Sequence, residues 1–492
     1  MSIHKKTITE LLDLLKSREI SAKEVTQNYL DRIKQENSKI NAFVHTNDEK
    51  AIQMAEASDL RYKNKQNLLL DGIPIGIKDV FCTKDIITQS ASNILQGFTP
   101  PYESTVTQKL WDSGAINLGK LNMDEFAMGS ANLNSCYGEV VNPIKRNTDD
   151  KKLVPGGSSG GSSAAVAADF CAAATGSDTG GSVRQPAAFT GTVGLKPTYG
   201  RCSRWGMIAF ASSLDQAGVI TKSVSDAALF LQAISGYDAK DSTSINIESP
   251  AFSENLEIDL KGLKVGIPKE YNSDLLNNEV KENWFNIAKI LTDLGAEIID
   301  ISLPHTDYAA PTYYIISTAE ASSNLSRYDG VKYGLRVFEK GDTLDQMYEK
   351  TRQAGFGDEV KKRILTGTYV LSAGYYDAYY KKALKLRNLI YQDFVSAYKD
   401  VDIILTPTTP NTAFAFDEKP DTISMYLNDI FTVSTNLAGL PALSLPTAIS
   451  NNGLPLSVQL IGNSLDEHRI LKIAKQIENA VNFNINKLSR IV

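Results

Sequence analysis

The segment of residues 155–188 places the tightest limits on how this chain folds. It holds two glycine and serine clusters, 156–161 and 180–182, separated by an alanine-rich run that predicts one short buried helix. Glycines directly before a helix leave backbone N–H groups and the positive end of the helix dipole open to a ligand. Such an arrangement suits a bound anion or a developing oxyanion, so this segment is the candidate functional centre.

The composition excludes several classes of protein. With 492 residues, 42% of them hydrophobic, the chain is long enough for a few domains or one large α/β domain. The net charge of -6 argues against nucleic acid as a direct ligand. Cys82, Cys136, Cys171 and Cys202 show no C-x-x-C spacing, which predicts reduced thiols rather than disulfides or a zinc site.

No stretch of the sequence points to a membrane or a secretion route. The N-terminus has no apolar signal segment, and the longest small-apolar run, 164–174, falls short of the ~18 residues of a membrane span. We therefore expect a cytoplasmic protein.

Hydrophobic periodicity predicts alternating helices and strands along the chain. Predicted helices cover residues 8–15, 21–35, 104–113, 225–235, 279–294, 308–327, 359–398 and 466–478. Predicted strands lie within residues 72–81, 115–119, 191–200, 209–220, 263–267, 296–301, 401–406, 443–446 and 456–461. Residues 236–260 are polar and rich in turn formers, which predicts a linker or a long surface crossing before a second α/β run.

Three interpretations of the glycine and serine clusters compete with an oxyanion site. A flexible linker is disfavoured because a helix follows at once and a second cluster lies one helix length later. A phosphate-binding loop would need a lysine where Ser162 stands. A nucleophile elbow at Ser158 would need a later histidine, and His305 and His468 both lie in ordinary surface contexts.

Lys78 is the alternative base. It lies, with Asp79, inside an apolar segment typical of a strand buried on both faces. Burial disfavours the ammonium form and lowers the ordinary lysine pKa of ~10.4 toward neutrality. A serine nucleophile without histidine can use such a lysine.

The same residues carry a resemblance to the amidase signature family. Residues 156–187 fit its signature throughout, including G-x-D-x-G-x-S-V-R-x-P-A at 176–187, and similar blocks occur at 72–79, 193–201 and 210–216. The resemblance implies an α/β amidase signature fold, with a large mixed sheet flanked by helices on both faces. It also implies one large catalytic domain with an N-terminal helical region at 1–65, a signature core at 66–235 and a remainder at 236–492 that includes a helical substrate-binding insertion.

The resemblance also implies the roles of the site residues. Ser182 becomes the nucleophile, Ser158 the bridging serine with a cis peptide bond to Gly157, and Lys78 the base. The backbone N–H groups implied to bind the oxyanion are those of Thr179, Gly180, Gly181 and Ser182. Asp178 and Arg184 are either supports of this site or a structural pair.

Three further blocks bear on the substrate. Residues 311–330, 355–383 and 425–441 resemble the A-subunit branch of the family, which hydrolyses glutamine for tRNA-dependent amidotransferases. By that resemblance Tyr313, Arg363 and Asp429 hold free glutamine, since an arginine fork pairs with a carboxylate and an aspartate with an ammonium group. Two alternatives stay open: Arg363 ends a basic run that suits a solvated helix face, and Asp429 suits a helix cap.

Membership of that branch implies partners. B and C subunits would complete a heterotrimer, with ATP, magnesium and tRNA, charged with glutamate or aspartate, handled by the B subunit. No cofactor or metal is expected in this chain. The loop 128–138, MGSANLNSCYG, departs from the MGSSTENSAFG of many relatives, which leaves its contacts to glutamine open. The competing hypotheses are a free-standing amidase for small carboxamides and a scaffold protein with a dead site.

Overall fold

The structure is a computed structural model that describes residues 2–418 and 428–492. Within those residues, eleven strands pair into a single sheet. They are β1 (Phe43–Thr46), β2 (Pro74–Lys78), β3 (Ile116–Leu121), β4 (Ala173–Ser177), β5 (Val193–Lys196), β6 (Ala217–Thr221), β7 (Lys264–Pro268), β8 (Glu297–Ile301), β9 (Ile403–Pro407), β10 (Ala442–Ile449) and β11 (Pro455–Ile461). Across the sheet their order is β1-β3-β2-β4-β6-β5-β10-β11-β9-β7-β8.

The α-helices of the described residues follow the sequence pattern in most places. They are α1 (Ile8–Ser17), α2 (Ala22–Ile40), α3 (Asp48–Lys63), α4 (Thr105–Asp112), α5 (Gly160–Ala167), α6 (Arg184–Thr190), α7 (Val224–Ile234), α8 (Asn278–Asp293), α9 (Ala309–Leu325), α10 (Leu344–Gly355), α11 (Asp358–Leu371), α12 (Lys382–Ala397), α13 (Val433–Leu437) and α14 (Glu467–Val481). None of these helices combines the length and apolar character that crossing a membrane requires.

The central strands are covered on both faces. Every residue of β2, β3, β4, β6 and β11 is buried, as expected for strands whose alternate side chains both meet packed layers. The edge strand β8 is exposed at most of its positions. The observed architecture is therefore the predicted mixed sheet with helices on both faces.

The sheet mixes parallel and antiparallel pairs. Strand β2 runs parallel to β3 and β4, so the carboxyl ends of all three lie at one edge of the sheet. Strands β7 and β8 are parallel and joined by α8, which confirms the strand, helix, strand unit predicted for this part of the chain. Between residues 236 and 263 the chain forms turns and irregular backbone, as predicted for a long crossing.

The alanine-rich run does not form the single helix that the sequence predicts. Its first half is α5 and its second half is β4, which pairs with β2 and β6. The change occurs at Asp169, whose φ of 59° lies in the left-handed region and ends the helix. The Asp169 carboxylate is held by Lys222 at 2.7 Å and Arg490 at 2.6 Å, so distant residues fix this corner.

The long helix predicted at 359–398 is also interrupted. Helix α11 ends at Leu371, and a π-helical turn, Tyr376–Lys381, leads into α12. Gly374, with a φ of 86°, breaks the periodic pattern. Helix α10 was not predicted, although Thr343 and Gln346 form a capping box at its start.

Candidate active site

Lys78 ends strand β2 and points into a cage of serines. Its Nζ lies 2.8 Å from Ser158 Oγ, 2.8 Å from Ser159 Oγ and 2.9 Å from Ser177 Oγ. The side chain is fully buried, and no carboxylate of the described residues lies within ion-pair distance of it. The lysine is therefore surrounded by hydroxyl groups rather than neutralised by an acid.

This environment sets the protonation of Lys78. Burial lowers its pKa to about 7, and the negative charges of Asp124, Asp178 and Asp215 partly oppose that shift. Near neutral pH the amine is therefore available in its neutral form, which accepts a proton.

Ser158 lies in the turn that precedes helix α5. Its peptide bond to Gly157 is cis, as expected, and its carbonyl accepts a hydrogen bond from the Asp124 N–H at 3.2 Å. A Cβ at Gly157 would lie 2.2 Å from Asp124 Oδ2. Only glycine therefore fits between Asp124 and the turn.

Ser182 lies in the loop between β4 and α6. It is 8% exposed, whereas Lys78 and Ser158 are fully buried. Its carbonyl accepts from the Ser159 N–H at 3.2 Å, but no hydrogen bond links the Ser158 and Ser182 hydroxyls in the described residues. The structure thus joins Lys78 and Ser158 by a hydrogen bond, and Ser182 is the most solvent-exposed of the three residues.

Of the four N–H groups predicted to bind an oxyanion, one already has a partner within the chain. The Gly181 N–H donates to Asp178 Oδ1 at 2.8 Å and is occupied. In the part of the chain that the structure describes, the N–H groups of Thr179, Gly180 and Ser182 make no hydrogen bond. These three remain available to a negatively charged oxygen.

Asp178 and Arg184 form a buried ion pair that shapes this loop. The Arg184 guanidinium lies 3.0 Å from Asp178 Oδ1, and Val183 N–H donates to the same carboxylate at 3.1 Å. Although burial by itself raises it, the Arg184 charge lowers the pKa of Asp178 to about 2. Arg184 also donates to Gln459 Oε1 at 2.6 Å. The pair ties the Ser182 loop to the sheet, which gives it a structural role beside the candidate site.

Tyr313, on helix α9, packs against the same loop. A Cβ at Gly180 would lie 2.6 Å from Tyr313 Cζ, so the tyrosine ring covers the backbone beside Ser182. Burial raises the pKa of the phenol, which stays neutral. Tyr313 therefore forms a wall next to the candidate oxyanion donors.

Arg363 is not on a solvated face. It is 6% exposed, its Nε donates to Glu359 Oε1 at 2.8 Å, and its guanidinium lies 5.6 Å from the ring centres of both Phe210 and Tyr314. The alternative that treats it as part of an exposed basic run is wrong, because α11 turns this arginine toward α9 and the core.

Asp429 lies close enough to Arg363 for their charges to interact. Burial raises the pKa of Asp429 to about 8, and the positive charge of Arg363 opposes the shift. The N-cap of α13 is Thr432, so Asp429 does not cap that helix. Residues 425–427, which begin the third block of the substrate resemblance, lie outside the described residues.

The sequence analysis did not identify several residues that contact the candidate site. Ser159 and Ser177 hold Lys78, and Asp124 holds both the Ser158 turn and the variant loop, through the Asn132 N–H at 2.9 Å. Ser159 directly follows Ser158, the predicted bridging serine, and this adjacency is a signal that could have identified it. Nothing near Asp124 in the sequence signals this contact, which pairs residues far apart in the chain.

The described residues hold no clustered metal ligands. In residues 2–418 and 428–492, no group of three or more histidine, cysteine, aspartate or glutamate side chains is arranged to hold an ion. The groups that converge at the described site are hydroxyls, an amine and backbone N–H groups.

Comparison with known proteins places these features in context. The family model described as Amidase matches residues 24–471. The A subunit of the glutamyl-tRNA(Gln) amidotransferase of Parvibaculum lavamentivorans is 58% identical over 480 residues, which cover 97% of each chain. The protein of the same name from Ehrlichia chaffeensis is 58% identical over 482 residues, 97% of this chain and 98% of that one. The crystal structure of the corresponding glutamyl-tRNA(Gln) amidotransferase protein from Thermotoga maritima is similar with a TM-score of 0.80 and 39% identity, covering 99% of this chain and 97% of that one.

Proposed function

This chain belongs to the amidase family, and from that premise we propose that it is the glutamine-hydrolysing A subunit of a glutamyl-tRNA(Gln) amidotransferase. The observation that carries the proposal is the buried guanidinium of Arg363 on α11, which packs against α9, the helix whose Tyr313 ring covers the Ser182 loop. Free glutamine presents a carboxylate and an ammonium group at one end and an amide at the other. The Arg363 guanidinium suits the carboxylate, Asp429 in its ionised form suits the ammonium group, and the Ser182 loop beside the Tyr313 ring suits the amide.

Attack begins at Ser182. Its Oγ bonds to the side-chain amide carbon of glutamine while its proton passes to Ser158, and the Ser158 proton passes to the neutral amine of Lys78. The carbonyl oxygen becomes an oxyanion that the N–H groups of Thr179, Gly180 and Ser182 stabilise. Each such donor contributes ~3 kcal/mol in the transition state.

Collapse of this intermediate breaks the carbon–nitrogen bond. The proton held by Lys78 returns through Ser158 to the leaving nitrogen, so ammonia departs and a glutamyl ester remains on Ser182. Water then attacks the ester while its proton passes through Ser158 to Lys78; the bond from carbon to Ser182 Oγ breaks, the proton returns to that oxygen, and glutamate is released. The sum of the two steps is glutamine plus water giving glutamate plus ammonia.

The released ammonia would be consumed on a partner subunit. We propose that B and C subunits complete the enzyme, that the B subunit binds tRNA, ATP and magnesium, and that ammonia converts glutamyl-tRNA(Gln) to glutaminyl-tRNA(Gln) there, with aspartyl-tRNA(Asn) as a second acceptor. Two properties of this chain support the division of labour: it has no phosphate-binding lysine after residues 156–161, and its net charge is -6. Its four free cysteines suit a reducing cytoplasm.

Purification from the native host tests the proposal directly. A tag on this chain should recover two further subunits, and the complex should form glutaminyl-tRNA from glutamyl-tRNA only when glutamine and ATP are present. A solitary chain that hydrolyses small carboxamides as well as glutamine would instead identify a free-standing amidase.

A further inference from the structure

We propose that Glu125 is a positioning residue for the substrate carboxylate, because it caps helix α11 from outside the helix and so fixes Arg363 relative to the Ser158 turn. The inference rests on the proposed function, in which Arg363 binds the carboxylate of glutamine. Glu125 touches neither glutamine nor the reacting atoms in this scheme, and it acts through α11.

The cap itself is unusual. The N-cap residue of α11 is Gly357, which has no side chain to satisfy the first N–H groups of the helix. Glu125 holds the helix start from a distant segment: its Oε1 and Oε2 lie 3.1 and 2.9 Å from the Gly357 nitrogen. Ser92 Oγ donates to the same carboxylate and to the Gly355 carbonyl, 3.3 Å away. Glu125 is 5% exposed, so water competes little for these contacts.

The identity of residue 357 follows from this contact. Its φ of -73° and ψ of 168° are open to any amino acid, so the backbone does not require glycine. A Cβ at this position would instead lie 2.4 Å from Glu125 Oε2. A side chain here would therefore have to displace the Glu125 carboxylate from the helix start.

Asp124, the preceding residue, contacts the turn that holds Ser158 rather than helix α11. Its N–H donates to the Ser158 carbonyl at 3.2 Å, and its carboxylate fills the space beside Gly157. Two consecutive acidic residues therefore touch the two halves of the site, one at the catalytic turn and one at the helix that carries Arg363.

A short stretch of helix α11 connects the contact of Glu125 to Arg363. Arg363 lies six residues after Gly357, about 9 Å along the helix axis at 1.5 Å per residue. Its guanidinium is packed between the rings of Phe210 and Tyr314. A shift of α11 at its first turn therefore displaces the guanidinium, and a misplacement of ~1 Å costs up to ~10²-fold in efficiency at a preorganised site.

The test compares glutamine with propionamide, which lacks the carboxylate, on the intact chain purified with its accompanying subunits. Glu125→Gln should raise the KM for glutamine at least about tenfold, leave kcat within about threefold, and leave kcat/KM for propionamide unchanged. Gly357→Ala, which places a methyl group against the same carboxylate, should reproduce the effect. The double variant should be no worse than the more damaging single variant, because both changes disturb one contact.

Asp358→Asn is the matched control. Asp358 lies in the first turn of α11 but its side chain is fully exposed, so its loss tests the general effect of a negative charge at a helix start. It should leave the glutamine KM within about twofold. An equal rise in Asp358→Asn and Glu125→Gln, or an unchanged glutamine KM in Glu125→Gln, would overturn the inference.

The outcomes separate this inference from the proposed function. If the wild-type complex does not hydrolyse glutamine, the proposed function fails first. If it does, and Arg363→Ala raises the glutamine KM while Glu125→Gln does not, only the role of Glu125 fails. Should Glu125→Gln not fold, Ser92→Ala removes a second donor to the carboxylate and leaves Glu125 in place; it should raise the same KM by a smaller factor, and an unchanged KM would again overturn the inference.

Discussion

Lys78 and Ser158 are joined by a hydrogen bond of 2.8 Å between Nζ and Oγ, inside a fully buried cage at the carboxyl end of strand β2. Two parts of the chain 80 residues apart make this contact. Because no carboxylate neutralises the lysine at ion-pair distance in the described residues, the amine keeps the capacity to accept a proton.

Ser182→Ala should abolish hydrolysis of glutamine and of propionamide. The hydroxyl is the group proposed to form a bond to substrate, and it makes no side-chain hydrogen bond to Ser158, so the free energy of unfolding should change by less than about 1 kcal/mol. Steady-state rates and thermal unfolding measure the two effects. Ser163→Ala, whose hydroxyl donates to the Gly160 carbonyl at 3.1 Å, serves as a control and should keep most activity. Turnover retained by Ser182→Ala would remove Ser182 as nucleophile.

The pH dependence should report Lys78. Its pKa of about 7 predicts that kcat/KM for propionamide rises with pH through about 7 and then levels, because only the neutral amine accepts a proton. Propionamide is the better probe, since it does not depend on Asp429, whose pKa is also raised. A rate that stays flat between pH 5 and 9 would contradict the role of Lys78 as the base.

Asp124→Asn should move that profile in a defined direction. The Asp124 carboxylate raises the pKa of Lys78, so its removal should shift the acid limb to lower pH. The carboxylate is itself charged above its pKa of about 6, which keeps the effect present at neutral pH. A limb that moves to higher pH, or stays in place, would contradict the charge relationship between the two residues.

Arg363→Ala should separate glutamine from simple amides. Loss of the guanidinium should raise the KM for glutamine by about 10²-fold, as expected for a charge-assisted pair worth about 1.5–3 kcal/mol, and hardly change the KM for propionamide. Arg363→Lys keeps the charge but not the planar fork and should lie between the two. Equal losses for both substrates would favour a general amidase.

The ion pair of Asp178 and Arg184 should matter for stability. Arg184→Met leaves a buried carboxylate unpaired and should lower the free energy of unfolding by about 3–5 kcal/mol in denaturant titrations. The pKa of Asp178, about 2, lies below its ordinary 3.8, so the stabilisation is complete above pH ~4 and is lost as the pH falls toward 2. Lys23→Met, which breaks an exposed pair with Glu56, should leave stability unchanged within error. Similar results for the two variants would show that the buried pair contributes little.

Local pattern was sufficient for much of the fold. The capping box at Ser21 and the apolar periodicity of α2 depend on neighbours within a few residues, so the helix was predictable. The buried strand that ends at Lys78 was predictable for the same reason. The split of the alanine-rich run was not, because alanine favours a helix by local propensity and the strand half was decided by the pairing of β4 with β2 and β6.

The candidate site was likewise only partly predictable from local sequence patterns. The spacing of Gly180, Ser182 and Arg184 in one motif pointed to this loop as the candidate site, but it did not show that Asp178 already accepts the Gly181 N–H. The exposure of Arg363 was equally open, since a basic run in sequence does not tell which face of a helix is buried.

By itself, the sequence determined the family, and it predicted Lys78, Ser158 and Ser182 as the catalytic residues, because these lie in short stretches that match the family signature. The tertiary structure alone decided that Lys78 lies among serines, that Arg363 is buried near Asp429, and that Glu125 caps the helix of Arg363. The physical reason is that protonation, burial and capping depend on side chains that meet only when strands and helices distant in sequence pack together. A local sequence pattern does not specify which distant side chain becomes the neighbour.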